Sequence, residues 1–209
     1  MRWPEVEQLD DQSINVASSR RALLGTAGAL GALATIPLIG RLLQLGDALA
    51  SPSKAQDAKI LQLVLQLEYT QVAFYEQALR QARLTGDLRD FAQTAVEHER
   101  QHLVAIRKAL GPKAGPKPRF DFGEKTKSAQ AFTQAAIDLE DIAVAGYNGQ
   151  ATNLTKGTLA AAAEIVSVEA RHAAWARAIA GEVAAPDPVD KPITAQQAAR
   201  GLREFGLRT

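Results

Sequence analysis

From Ser53 onward, apolar positions recur every three or four residues, the period of a helix that buries one face. Leu61, Val64, Val72 and Leu79 share a stripe with Glu68 and Tyr75, which predicts a helix running to about Arg83, capped by Ser51 or Ser53. Thr85, Gly86 and Asp87 interrupt it. A second stripe of Phe91, Ala95, Glu99, His102, Ile106 and Leu110 predicts a helix from about Asp87 to Leu110. Gly111 with Pro112, Pro116 and Pro118 removes backbone donors and restricts the chain, so no helix is expected before about Thr126. The third helix, Thr126 to about Gln150, carries Phe132, Ala136, Glu140, Ala143 and Tyr147 on one face. After a turn around Asn153, the fourth runs to Ala180 with Ala162, Ile165, Glu169, His172, Ala176 and Ile179 inward. Gly181 ends it, and a Pro-rich stretch leads to a short helix from Thr194 to Phe205.

Loop lengths turn these elements into an all-α four-helix bundle. The first and third connections are short, so each joins an antiparallel hairpin. The middle linker has about 15 residues and at ~3.3 Å each reaches ~50 Å, more than a 25-residue helix at ~38 Å. It can therefore cross over along the whole bundle between helices 2 and 3. An internal repeat supports two equivalent hairpins. Glu68 precedes Glu99 by 31 residues and Glu140 precedes Glu169 by 29. In each half a Tyr follows the lone Glu at i+7 (Tyr75, Tyr147), and an Arg follows the His at i+5 (Arg107, Arg177).

Composition agrees: hydrophobic residues reach 46% but aromatics only 5%, with much Ala and Leu, which favours helices over strands. Net charge is +1, too even for a nucleic-acid footprint, so no nucleic-acid partner is expected. The absence of cysteine excludes disulfides, thiolate metal sites and a rubredoxin-type iron centre. Any metal must be held by oxygen and nitrogen.

The N-terminus reads as an address. Ser18 to Leu24 run SSRRALL, an apolar stretch follows from Ala22 to Gly40, and Ala48-Leu49-Ala50 offers a small-x-small cleavage pattern. A double arginine before a mildly hydrophobic run resembles a twin-arginine export signal. The division expected is an export segment at 1–50, the bundle at 51–181 and a Pro-rich tail with a short helix at 182–209. The export machinery is then a partner and the periplasm or cell envelope the destination. The alternative is an uncleaved anchor, since ~19 apolar residues just span a bilayer.

The stripes are apolar except near their middles. In a helix, i and i+3 share a face, so Glu99 with His102 and Glu169 with His172 each offer an oxygen and a nitrogen to one ion. Glu68 and Glu140 flank or bridge the pair from the remaining helices. Two lone Glu residues and two Glu-x-x-His pairs form the pattern of carboxylate-bridged di-metal bundles. One such pair alone would read as a solvated face. Here, only three His exist and two of them carry Glu at minus three. Four inward carboxylates also demand cations, and two divalent ions balance them. His98 is out of phase, so a surface position or one beside the ligands is expected. Glu76, Glu97 and Glu164 are expected in solvent. For Tyr75 and Tyr147, packing with a hydroxyl hydrogen bond competes with a redox or ligand-supporting role. Arg107 and Arg177 either face solvent or pair with carboxylates such as Asp138 and Asp141.

At LEYTQVAFY (67–75), ERQHLVAIRKALG (99–111), LEDIAVAGY (139–147) and EIVSVEARHAAW (164–175) the chain resembles the bacterial ferritin-like family that includes the desiccation-related proteins. VDKPITAQQA (189–198) resembles that family's tail. The resemblance covers residues 55–205 and implies a ferritin-like fold with a di-iron or related centre. Two Fe or two Mn ions are the expected cofactors, with Zn admissible, since ligand type alone does not select among them. The function expected is redox chemistry, ferroxidase or peroxide removal, with peroxide or dioxygen as oxidant. The alternatives are a non-catalytic envelope or desiccation-stress protein with a structural or sequestered metal and, less favoured, a mineral-storing cage. Membrane anchoring through 22–40 and homodimerisation stay open at this point.

Overall fold

The computed structural model describes residues 51–208, so the export segment expected at 1–50 lies outside the described residues. Five helices carry the fold: α1 (Lys54–Gln81), α2 (Gly86–Leu110), α3 (Ala129–Gln150), α4 (Lys156–Ala180) and α5 (Ala195–Phe205). Ser53 accepts a hydrogen bond from the Gln56 amide and caps α1, and Ser128 does the same for α3 through Ala131. Thr194 and Gln197 bond each other's backbone amides in a reciprocal cap on α5. Gly181 ends α4 with a left-handed φ of 77°, which glycine adopts without a Cβ clash.

The closest helix packing is within the hairpins α1/α2 and α3/α4, and α5 lies across α1 and α3. The crossover is less plain than its prolines suggest. It holds 3₁₀ turns at Gly111–Lys113 and Gly123–Thr126, the second of which moves the start of α3 from Thr126 to Ala129. It also holds a two-residue strand, β1 (Arg119–Phe120), pairing antiparallel with β2 (Leu207–Arg208) beyond α5. The tail is thus tied to the crossover.

This tie explains why α1 is buried nearly all round between Leu67 and Tyr75, where one stripe was expected. The face away from the hairpin partner packs under α5. Phe74 meets Phe132, Phe205 and Phe122 at centroid distances of 5.3, 5.2 and 5.6 Å. Ala198, Leu202 and Phe205 are the buried face of α5.

One glycine sets the tail's position. A Cβ on Gly149 would stand 1.8 Å from the Ile193 carbonyl oxygen, and the Ile193 amide bonds the Ala145 carbonyl at 3.1 Å. Gly149→Ala should therefore push the tail off α3, costing ~1–3 kcal/mol as overpacking does. Hydrogen exchange should show Ile193 to Phe205 losing protection while α2 keeps its own. Unchanged exchange in the tail would refute the contact.

At the bundle's end, Asp57 of α1 caps α4 from outside. Its carboxylate accepts from the Thr155 amide at 2.8 Å and from the hydroxyls of Thr155 and Thr158 at 2.5 and 2.7 Å. Burial opposes its charge, but those bonds and Lys54 outweigh burial and hold the carboxyl below the usual 3.8. A depressed value means the stabilisation is present above 3.8 and lost as pH falls through the folded-state value. Asp57→Asn should cost ~1.5–3 kcal/mol at pH 7, the usual worth of bonds to a charged group, and progressively less in acid. Denaturant titration at pH 7 and pH 3 checks this. An equal cost at both would place the effect outside the ionised carboxylate.

Candidate metal centre

The stripes of the four long helices bring six side chains to one level inside the bundle. Glu68 comes from α1, Glu99 and His102 from α2, Glu140 from α3, and Glu169 and His172 from α4. The four carboxylates have no solvent exposure, and His172 has 2%. They form two overlapping groups, Glu68, Glu99, His102, Glu169 and Glu99, Glu140, Glu169, His172, with the donor atoms of each within 4.8 Å of one another. Glu99 and Glu169 belong to both, so they lie between the two positions, while Glu68 and Glu140 close the outer ends.

Both imidazoles turn Nδ1 inward. His102 Nδ1 stands 2.9 Å from Glu169 Oε1, 3.0 Å from Glu99 Oε2 and 3.5 Å from Glu68 Oε2. His172 Nδ1 stands 2.9 Å from Glu99 Oε1 and 3.7 Å from Glu140 Oε2. Yet Glu68 Oε2, Glu99 Oε1, Glu169 Oε1 and His172 Nδ1 are buried with no hydrogen bond of acceptable geometry among the described residues. Each such atom costs ~1–3 kcal/mol if left so. Converging donors that face one another without bonding are what a cation satisfies, so the set fits two metal ions. All-oxygen-and-nitrogen donors suit Fe, Mn or Zn.

Without a cation, protons neutralise the cluster. Burial disfavours imidazolium at His102, but the carboxylates of Glu169, Glu68 and Glu99 against its ring overcome it and push the ring up to about 12. Burial opposes His172 likewise, and Glu140 and Glu99 push it up to about 9. Burial drives Glu68 up to about 7 against His102, and it drives Glu169 well above its ordinary range with the help of Glu99 and Glu140. Glu99 resists burial because both imidazoles stand against it, and it falls to about 2.

The outer carboxylates are held crosswise. Tyr147 on α3 donates to Glu68 Oε1 at 2.6 Å, and Tyr75 on α1 donates to Glu140 Oε1. Burial and the nearby carboxylates raise both phenols well above 10, so they stay protonated donors. The crossing shows that α1 and α3 run antiparallel. The repeat extends further: Arg177 pairs with Asp141, the residue after Glu140, and Arg107 donates to the Tyr69 hydroxyl, the residue after Glu68. Among the described residues, Arg107 thus has no carboxylate partner, and Asp138 accepts only from Gln134. Glu97 and Glu164 face solvent, while Glu76 is partly covered and pairs with Arg100 at 2.9 Å.

His98 is no member of either group and sits beside His172, its Nδ1 3.0 Å from His172 Nε2 with the rings stacked. Gln71 was missed. Fully buried, it donates to Glu140 Oε2 at 3.0 Å and Glu169 Oε2 at 2.7 Å. Its position at i+3 from Glu68 put it on the ligand face, and that spacing was the available signal.

A groove of about 510 Å³ between α1, α2 and α4, walled by Leu61, Val64, Ile106 and Ile165, reaches Tyr147 and so approaches the Glu68 end. Among the described residues, no helix is long and apolar enough to cross a membrane.

No curated protein matches this chain. The profile of the ferritin-like domain matches residues 56–182, which takes in α1 to α4 apart from the first two residues of α1 and all six inward Glu and His residues. A match over more than half the chain, on a helical bundle with this crossover, shows that the chain belongs to the ferritin-like domain family.

Proposed function

We propose that the protein holds two iron or manganese ions between these six residues and uses them to remove peroxide or oxidise ferrous ion outside the cytoplasm. The observation that carries this is the convergence of four wholly buried carboxylates and two inward imidazoles, four of whose atoms lack a hydrogen-bond partner among the described residues. Such ions, once bound, supply a two-electron couple to a small oxidant. Glu99 and Glu169 keep the two positions adjacent. Tyr75 and Tyr147 fix the outer carboxylates and retain their own protons. Full burial restricts reactants to molecules about the size of peroxide or dioxygen, for which the groove toward Tyr147 is the approach. With no cysteine, the chain has no thiolate-bound electron donor, which favours a peroxide cycle that needs no outside reductant.

Export is proposed from Arg20, Arg21 and the apolar run 22–40, with the twin-arginine machinery as partner. Folding before export would let the cytoplasm choose the metal. The reading is tested by elemental analysis of protein from its native compartment, followed by peroxide and ferrous-oxidation turnover. Two Fe or Mn per chain with turnover in either assay is expected. A fully loaded protein inert in both supports the other reading, which the sealing of the carboxylates also favours: a metal held for structure or sequestration in an envelope stress protein.

A further inference from the structure

We propose that the two metal positions are unequal, and that Gln71 and His98 make the position beside His172 the first to fill. This rests on the two-ion reading. The internal repeat relates Glu68 to Glu140, Glu99 to Glu169, His102 to His172, and Tyr75 to Tyr147. Two equal halves would build two equal positions. Two polar residues break the equality: the counterpart of Gln71 is Ala143, and the counterpart of His98 is Val168.

Both favour the position beside His172: His98 through that ring, and Gln71 through Glu140, which belongs to that position alone, as well as through the shared Glu169. Gln71 sends its amide nitrogen to Glu140 and Glu169, 3.0 and 2.7 Å away, and so holds two mutually repelling carboxylates in place. Its orientation is dictated by them, since reversing the amide would set an oxygen against two oxygens. The ligand arrangement on that side is built in advance. His98 acts through the ring of His172. The nitrogen of His172 that meets the carboxylates is Nδ1, and a ligating nitrogen carries no proton. The ring proton then resides on Nε2, which donates to His98 Nδ1 at 3.0 Å. This bond fixes the tautomer and ring plane and raises the basicity of Nδ1. His102 makes no such bond through Nε2 among the described residues and keeps 11% side-chain exposure. Partners of this kind are worth about 10–100-fold in metal affinity.

The chain's three histidines make the order of filling directly visible. In the full-length protein, labelled with ¹⁵N in its imidazoles and freed of metal, Zn(II) titration followed by NMR reports each ring separately. His172 should reach its bound position with the first equivalent and His102 with the second. His98→Ala should weaken the first step about 10–100-fold, so that the two rings respond together. His98→Asn, whose carboxamide oxygen still accepts from Nε2, should restore the order, which a merely structural role for His98 would not do. Gln71→Ala should weaken the same step more than the other, since of its two partners Glu140 belongs to that position alone and Glu169 to both. Simultaneous response of both rings in the wild type, His102 responding first, or equal weakening of both steps in His98→Ala would overturn the inequality while leaving two ions bound. Fewer than two Zn(II) per chain would overturn the two-ion reading itself.

Discussion

Replacing Glu99 or Glu169 with Gln should cost the protein both metal ions, whereas Glu68→Gln or Glu140→Gln should cost it one. The difference follows from membership: Glu99 and Glu169 stand in both donor groups, and Glu68 and Glu140 in one each. A carboxamide keeps the shape but supplies no charge, and at a shared position the loss is felt twice. Even partners that only orient a ligand are worth about 10–100-fold, so loss of a shared ligand should weaken each position by more than about 100-fold. Metal content after dialysis should read close to zero for the shared pair and close to one for the outer pair. Equal losses from all four variants would mean that the carboxylates do not divide into shared and terminal sets.

Removing the metal should lower the melting temperature by ~10–20 °C. Each ion at ~100 times its dissociation constant stabilises the folded state by ~2.7 kcal/mol, and a domain of this size gains ~2–4 °C per kcal/mol. The metal-free protein should also weaken as pH rises. Burial lifts Glu169 well above 4.5 and Glu68 to about 7, so their neutral forms favour the fold. A raised carboxyl contributes stability that is complete below 4.5 and disappears as pH climbs through the folded-state value. Gln cannot ionise. In chelator at pH 8, Glu169→Gln should therefore melt above the wild type, although it no longer responds to metal. Stability and function would be opposed at one residue. A lower melting temperature for that variant under those conditions would contradict the picture of crowded, uncompensated charge.

Two imidazoles charged in the metal-free state add a linked effect. His172 and His102, pushed up to about 9 and about 12, must each lose a proton to ligate. Metal uptake at pH 7 should release about two protons or more, and affinity should rise with pH. Calorimetry in buffers of different ionisation enthalpy measures the number.

Much of this centre was legible because helical periodicity is local. Glu68, Glu99, His102, Glu140, Glu169 and His172 stand on stripes whose phase depends only on neighbours three and four residues away, and the repeat set their depth. The crossed tyrosines were placed on the right face, but their partners lie on another helix and could not be read. Asp57 was invisible for the same reason: its partners Thr155 and Thr158 lie about 100 residues on, and only the folded bundle brings them together. The β1–β2 pair has two residues per strand, too few for any alternation, and exists because α5 returns the chain to the crossover. Burial on the far side of α1 has that cause too. Gly149 gave no signal at all, since its importance is the approach of Ile193 from a segment that the sequence shows only as Pro-rich.

The most direct test of the two-ion claim is an anomalous-difference map from crystals of the metal-loaded protein. Two peaks are expected, one bounded by Glu68, Glu99, His102 and Glu169 and the other by Glu99, Glu140, Glu169 and His172. A loaded crystal with no peak inside the bundle, or with metal bound elsewhere while those carboxylates keep protons, would contradict it.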